Sequence, residues 1–264
     1  MKILLVGDVV GRPGREAVKK IIPALRRNEC IDFVIANAEN IAGGSGLTSE
    51  TADELLNSQI DVLTSGDHIW KKKEIYERLE KDSRILRPAN YPEECPGRGA
   101  AVLKSSSGKK VAVVNVIGRV FMNHIDACPF KTAAKEIEKI SKDTRIILVD
   151  MHAEATSEKI ALGRFLDGRV SAVFGTHTHV QTADEKILPR GSAYITDLGM
   201  TGPQDSVIGR KADAIIEHFL KCMPIRFEMA ENDVELQGAI VEIDESTGKA
   251  VSIKRVREKI AEYQ

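Results

Sequence analysis

Four of the six histidines in this 264-residue chain, His68, His152, His177 and His179, stand at the ends of mainly apolar runs. Asp8, Glu39, Asn40 and Asp67 do the same. Imidazole, carboxylate and carboxamide groups are the side chains that ligate divalent cations. One strand ending in Asp or His needs no special reason, but five ending in ligand types are hard to explain by packing. Burying several carboxylates without partners is costly, and divalent cations offset that cost. Mixed carboxylate and imidazole donors suit manganese, iron or zinc better than calcium or magnesium. A hydrolytic zinc site needs only three protein ligands, so this set is large enough for two ions. A carboxylate such as Glu39 can bridge metals about 3.5–4 Å apart, and such a pair activates water and stabilises charge on phosphorus. His177 and His179 belong to Gly175-Thr-His-Thr-His179. Read as extended backbone, that segment projects both imidazoles to one side, toward one cluster.

The elements that must position these groups follow from the apolar runs. Lys2–Asp8, Phe33–Asn40, Asp61–His68, Val111–Gly118, Arg145–His152, Ala172–His179 and Ser192–Gly199 are apolar stretches that stop at polar clusters. Continuous runs of this kind suit strands buried on both faces. Arg15–Arg27 carries Val18, Ile21, Ile22 and Leu25 at helical spacing. Thr48–Ser58 opens with the capping sequence Thr-Ser-Glu-Thr. Lys131–Lys142 and Asp213–Cys222 also read as helices. Strand–helix alternation predicts an α/β fold with much parallel pairing, whose ligand site lies beyond the carboxyl ends of the strands. The tail differs: Ile225–Met229, Val234–Asp244 and Ala250–Val256 read as antiparallel strands, the last two joined by the turn Glu245–Lys249. A second sheet packed on the first, with helices outside, accounts for both halves within one domain spanning residues 1–264.

Other signals are weaker. Gly43-Gly44-Ser-Gly46 is either a phosphate cradle or a flexible loop, and Gly118-Arg119-Val-Phe-Met122 is either a phosphate and base contact or a structural loop. Asp150 is either a partner to a ligating histidine or a strand-end polar group, and is left outside the site. His124 and His218 read as ordinary residues. Gly7, Gly11 and Gly14 follow the first strand, but their spacing matches neither the dinucleotide fingerprint nor a P-loop. A dehydrogenase would also leave the strand-end histidines unexplained. The net charge of −1 argues against a global field for nucleic acid or anionic membrane. No apolar run approaches the roughly 20 residues that span a bilayer, and the N-terminal run stops at Asp8 with no cleavage site following. Cys30, Cys95, Cys128 and Cys222 are widely spaced, which suits reduced thiols in a cytoplasmic protein.

The set Asp8, Glu39-Asn40, Gly66-Asp67-His68, His152 and Gly175-x-His177-x-His179 resembles the calcineurin-like metallophosphoesterase superfamily. The segments GDVVGRPGR, NAENIAGGSGLT, TSGDHIW and GRVFM resemble its YmdB-type branch more closely, over about residues 1–255. That branch contains bacterial cytoplasmic phosphodiesterases associated with 2′,3′-cyclic nucleotides. The resemblance implies a two-sheet α/β/β/α sandwich that forms homo-oligomers. It also implies two divalent or mixed-valence ions, iron or manganese foremost and zinc as a further option. Asp8, Glu39, Asn40 and His179 would hold one ion. Glu39, Asp67, His152 and His177 would hold the other. His68 would stabilise the phosphate or protonate the leaving oxygen. The implied reaction is attack of a metal-bridging hydroxide on a small phosphodiester or cyclic nucleotide such as 2′,3′-cAMP.

The chain departs from the superfamily pattern in places. Val10 stands where the first motif usually has His, a vacancy that Asn40 can fill, and Glu39 replaces the usual Asp; both are features of the branch. Asp67 stands where most relatives carry Asn, and its added charge should favour cations over an anionic phosphate. Ile69 follows His68 where many relatives have an acid, which leaves the orienting partner of His68 open. A metal-binding regulator with weak catalysis and a phosphomonoesterase are the competing functions.

Overall fold

The structure is a computed structural model that describes residues 1–122 and 127–260; His124 lies outside them. The chain runs β1 (Lys2–Val6), β2 (Asp8–Val9), α1 (Gly11–Glu29), β3 (Phe33–Asn37), α2 (Ser49–Asn57) and β4 (Val62–Thr64). A 3-10 helix (Asp67–Trp70), α3 (Ile75–Lys81), β5 (Ala100–Lys104), β6 (Lys110–Ile117), α4 (Pro129–Ile140), β7 (Ile147–His152) and α5 (Thr156–Leu166) follow. Then come β8 (Ala172–Thr176), β9 (Lys186–Ile187), β10 (Ala193–Ile195), β11 (Met200–Pro203), α6 (Ala212–Lys221), β12 (Val234–Ile243) and β13 (Ala250–Lys259).

These strands form two sheets. The first has the order β2–β11–β12–β1–β3–β4, with β13 also paired to β12. The second has the order β5–β6–β7–β8–β10–β9. Parallel pairing joins β1, β3 and β4 in one sheet and β6, β7, β8 and β10 in the other. Side chains alternate across each strand, and the burial follows that alternation. Ile3, Leu5, Phe33 and Ile35 face Val113, Leu148 and Phe174 between the sheets. Leu4, Val6 and Val34 face outward onto Val18, Ile22 and Leu55. Ala112, Val114 and Val149 pack with Ala133, Ile137 and Leu162 on the far side. The result is the expected α/β/β/α sandwich.

Some elements differ from the sequence reading. The tail does not build a separate sheet: β12 lies antiparallel on β1, at the heart of the first sheet. Ile225–Met229 contributes only a single bridge, Arg210 to Met229. The run Asp61–His68 is a strand only over Val62–Thr64, and its end turns into the 3-10 helix. Thr48 caps α2 as its sequence suggests: its hydroxyl accepts from Thr51 N at 3.2 Å, and its own N–H donates to the Thr51 hydroxyl at 2.9 Å.

Candidate metal centre

The carboxyl ends of β1, β3, β4, β7 and β8 meet at one edge of the sandwich. β1 leaves β12 at Gly7, whose N–H still donates to Gln237 O, and Asp8 N–H donates instead to Gly199 O. This change of partner buries the Asp8 side chain. Its Oδ2 accepts from His177 N at 3.0 Å, while its Oδ1 is buried with no hydrogen-bond partner among the described residues. Burial raises the Asp8 pKa despite the nearby His179 and His152 imidazoles. A buried carboxylate oxygen left without a donor matches a cation site.

Glu39 is buried at the end of the loop from β3. Its Oε2 accepts from His68 N at 3.1 Å and lies 3.3 Å from His152 Nε2. Burial opposes ionisation of Glu39, but His152 and His68 outweigh it and hold the pKa down at about 2. The Glu39 charge is therefore present at neutral pH. Asp67 Oδ1 lies 3.5 Å from His152 Nε2 and 3.8 Å from His177 Nδ1. Its pKa is also depressed, because His152, His68 and His177 together outweigh its burial.

The imidazoles are set by partners behind them. His152 Nδ1 lies 2.9 Å from the Thr176 hydroxyl, which donates onward to Asp150 Oδ1 at 2.8 Å. Asp150 thus supports a histidine from behind, and burial raises its own pKa to about 7. His177 Nε2 lies 3.4 Å from Glu154 Oε2. Protons on the outer nitrogens satisfy these contacts. The inner nitrogens, His152 Nε2 and His177 Nδ1, then face each other 3.0 Å apart. Two lone pairs so placed repel unless a cation or a proton lies between them. Metal-free, burial lowers the His152 pKa but Glu39, Asp67 and Asp8 raise it well above the ordinary range, whereas burial and His152 bring His177 down to about 4.

His179 sits on the other side. Its Nδ1 is 3.2 Å from Ile208 O, and its Nε2 is 3.3 Å from Asn40 Nδ2 and 3.8 Å from Asp8 Oδ1. Asn40 reaches both halves, since its Oδ1 accepts from His68 Nδ1 at 2.7 Å. That contact supplies the orienting partner for His68 that the sequence leaves open.

All eight residues singled out in the sequence are therefore neighbours: seven form two adjoining groups, and His68 touches Glu39 of one and Asn40 of the other. Ligand atoms of Glu39, Asp67, His152 and His177 lie within 4.8 Å of one another. Asp8, Asn40 and His179 form the adjoining group. The reason expected for the histidine pair does not hold, however. β8 ends at Thr176, and His177 and His179 take left-handed backbone angles, φ 103° and 63°. The turn sends the two imidazoles to different groups, where an extended segment would have sent them to one.

Gly66 gives the cluster its floor. A Cβ there would stand 2.1 Å from His152 Nε2 and 2.4 Å from Glu39 Oε2, so only glycine lets these groups converge. Sequence reasoning missed Glu154, Thr176 and Asn37. Asn37 accepts from Glu39 N at 3.1 Å and reaches the Thr176 hydroxyl. A signal existed for Glu154, an acid two residues after a strand-end histidine; none existed for the other two. The Gly43–Gly46 loop is a tied turn. Ala42 N donates to Gly46 O, and Arg210 donates to Gly44 O at 2.9 Å. The Arg119 segment is fastened by its backbone, with Arg119 N and Val120 N both donating to the Glu158 carboxylate.

Known proteins share this architecture and sequence. The family model described as YmdB-like protein matches residues 4–256. A Bacillus subtilis protein named 2′,3′-cyclic-nucleotide 2′-phosphodiesterase is 48% identical over 97% of this chain and 96% of its own length. A crystal structure of a hypothetical protein from Thermus thermophilus superposes with a TM-score of 0.91 at 38% identity, covering 98% of this chain and 99% of that one. A structure described as a novel phosphatase from Mycoplasma pneumoniae also reaches 0.91, at 34% identity, covering 98% and 93%. On this match of sequence and fold over nearly the whole chain, the protein belongs to the YmdB-like family.

Proposed function

We propose that the protein is a dinuclear metal-dependent phosphodiesterase that hydrolyses 2′,3′-cyclic nucleotides. The observation that carries this reading is the convergence of Glu39, Asp67, His152 and His177 beside Asp8, Asn40 and His179. The name of the Bacillus subtilis relative supports the substrate class. Asp8, Glu39, Asn40 and His179 would hold one ion, and Glu39, Asp67, His152 and His177 the other. Mixed oxygen and imidazole donors favour iron or manganese, with zinc as the third option. When bound, the ions supply an activated water and neutralise charge on the phosphoryl oxygens.

The remaining work falls to this chain's own groups. His68 is tethered through Nδ1 to Asn40, and 32% of its side chain remains exposed to meet a substrate. Protonated at Nε2, it donates to the departing ribose oxygen and leaves a nucleoside monophosphate. Asn40 fixes the ring so that Nε2 faces the substrate side. The buried floor of Gly66, Glu39 and His152 keeps bulk water out from below.

Metal analysis of the purified protein, with rates on 2′,3′-cyclic, 3′,5′-cyclic and bis-p-nitrophenyl phosphates and on a phosphomonoester, tests the reading. Two ions per chain and fastest turnover of the 2′,3′-cyclic compounds are expected. His68→Ala should keep its metal and lose about 10²–10⁴-fold in kcat. Protein that retains no metal would sink the reading, and faster hydrolysis of the monoester would make it a phosphomonoesterase.

A further inference from the structure

Behind the metal centre lies a buried ion pair that plays no part in the site described so far. Asp197 and Lys159 are both almost fully buried, and Lys159 Nζ donates to Asp197 Oδ2 at 2.6 Å. The same oxygen accepts from the Thr178 N–H at 3.2 Å and the Thr178 hydroxyl at 2.8 Å. Asp197 Oδ1 accepts from Gly199 N at 2.9 Å. Gly199 O in turn accepts from Asp8 N at 3.0 Å, and Asp8 Oδ2 accepts from His177 N at 3.0 Å. The contacts close a ring through Asp197, Thr178, His177, Asp8 and Gly199.

That ring surrounds the turn with unusual backbone angles. Non-glycine residues in the left-handed region are strained and persist only where their surroundings over-determine them. His177 and His179 are two such residues, at φ 103° and 63°, and Thr178 between them is held to Asp197 by backbone and side chain alike. Lys159 reaches Asp197 from α5 by passing over Gly175. A Cβ on Gly175 would stand 1.8 Å from Thr196 O and 2.8 Å from Lys159 Cδ. The glycine of Gly175-Thr-His-Thr-His thus leaves room for the lysine. For stability alone, a buried ion pair is no better than an apolar pair of similar volume, so its benefit must lie elsewhere.

We propose that Asp197, neutralised by Lys159, is a positioning residue. It sets the His177–His179 turn and Asp8 into ligating geometry before any cation arrives, and so couples the two metal subsites through one scaffold. This rests on the dinuclear reading above.

The test compares metal-free protein with its Mn²⁺ titration. Asp197→Asn alone would strand a buried lysine charge, so the variant of choice is Asp197→Asn with Lys159→Met, which removes both charges at similar volume. Its melting temperature in EDTA should stay close to wild type. Calorimetric titration of the metal-free variant with Mn²⁺ should show affinity reduced at least tenfold at both subsites, with turnover recovering as Mn²⁺ is raised. Thr178→Val removes only the hydroxyl donor and should weaken Mn²⁺ binding two- to fivefold at an unchanged melting temperature. If the double variant does not fold, Thr178→Val decides. Wild-type Mn²⁺ affinity in either folded variant overturns the inference. Absence of Mn²⁺ binding by the wild type would overturn the dinuclear reading instead.

Discussion

Asp67 carries a charge among three imidazoles that asparagine would lack. Three imidazoles face it, and together they hold its pKa down, so it is a full anion at neutral pH. Asparagine would keep an oxygen in place and remove the charge. Asp67→Asn should therefore bind an anionic phosphodiester more tightly and a cation more weakly. Steady-state kinetics at saturating metal should show a KM several-fold lower, and calorimetry a higher dissociation constant for Mn²⁺. If neither constant moves, the charge at this position has no role in selectivity. Gly66 makes a steric demand. The Cβ of Gly66→Ala would overlap His152 and Glu39, which are both buried and have nowhere to retreat. Overpacking of this kind costs about 1–3 kcal/mol. Here the strain falls on candidate ligands, so metal content should drop by more than stability does. Metal analysis beside a denaturant melt checks this, and full metal loading in the variant would contradict it.

Elements are legible in the sequence where burial and residue type agree. The central strands are apolar throughout because helices and a second sheet cover both faces, and α1, α2 and α4 carry clear apolar stripes. α5 is not legible. Its inward face includes Glu158 and Lys159, while Ile160 and Phe165 are exposed. Those inverted positions hold other segments in place: Glu158 fastens the Arg119 loop, and Lys159 reaches Asp197. α3 is hidden in a charged run, with only Ile75 and Leu79 buried. For the 177–179 turn, strand periodicity gives the right neighbours for the wrong reason, because it does not foresee a backbone held in the left-handed region. At the end of α3, Asp82 accepts from Arg84 Nε at 2.9 Å and Arg78 Nη2 at 2.9 Å. The hydrogen bond from Arg84 lowers its pKa from 3.8 to about 2, against the effect of burial. A depressed carboxyl pKa stabilises the fold above the unfolded value, and that contribution is lost as pH falls through the folded one. Asp82→Asn should thus cost about 1 kcal/mol at pH 7, a figure reduced for solvent screening. The difference from wild type should fade between pH 4 and pH 2. Denaturant melts across that range measure it, and a difference independent of pH would contradict it.

At the scale of the molecule, the candidate ligands come from both halves of the sandwich. Asp8, Glu39, Asn40 and Asp67 follow strands of the first sheet, and His152, His177 and His179 end or follow strands of the second. Ions in this site would therefore add a cross-link to two sheets already joined by the apolar layer of Leu5, Phe33, Leu148 and Phe174 and by hydrogen bonds such as Ser65 N to Asn115 Oδ1 and His177 N to Asp8 Oδ2. We expect that layer and those hydrogen bonds to hold the fold without metal. Stripping the ions would leave Glu39, Asp67 and Asp8 facing one another across the seam with only imidazoles to balance them. A ligand that binds only the folded state stabilises it by about 2.7 kcal/mol at one hundred times its dissociation constant. Two such sites would give about 5 kcal/mol, and at about 2 °C per kcal/mol for a chain of this size the melting temperature shifts by about 10 °C. EDTA-treated protein should therefore melt about 10 °C below protein in excess Mn²⁺, with unchanged far-UV circular dichroism. The gap should close in Asp8→Asn combined with His152→Ala, which takes a ligand from each sheet. Equal melting temperatures with and without metal would mean that the folded chain binds Mn²⁺ no better than the unfolded chain does, and the dinuclear reading would fall.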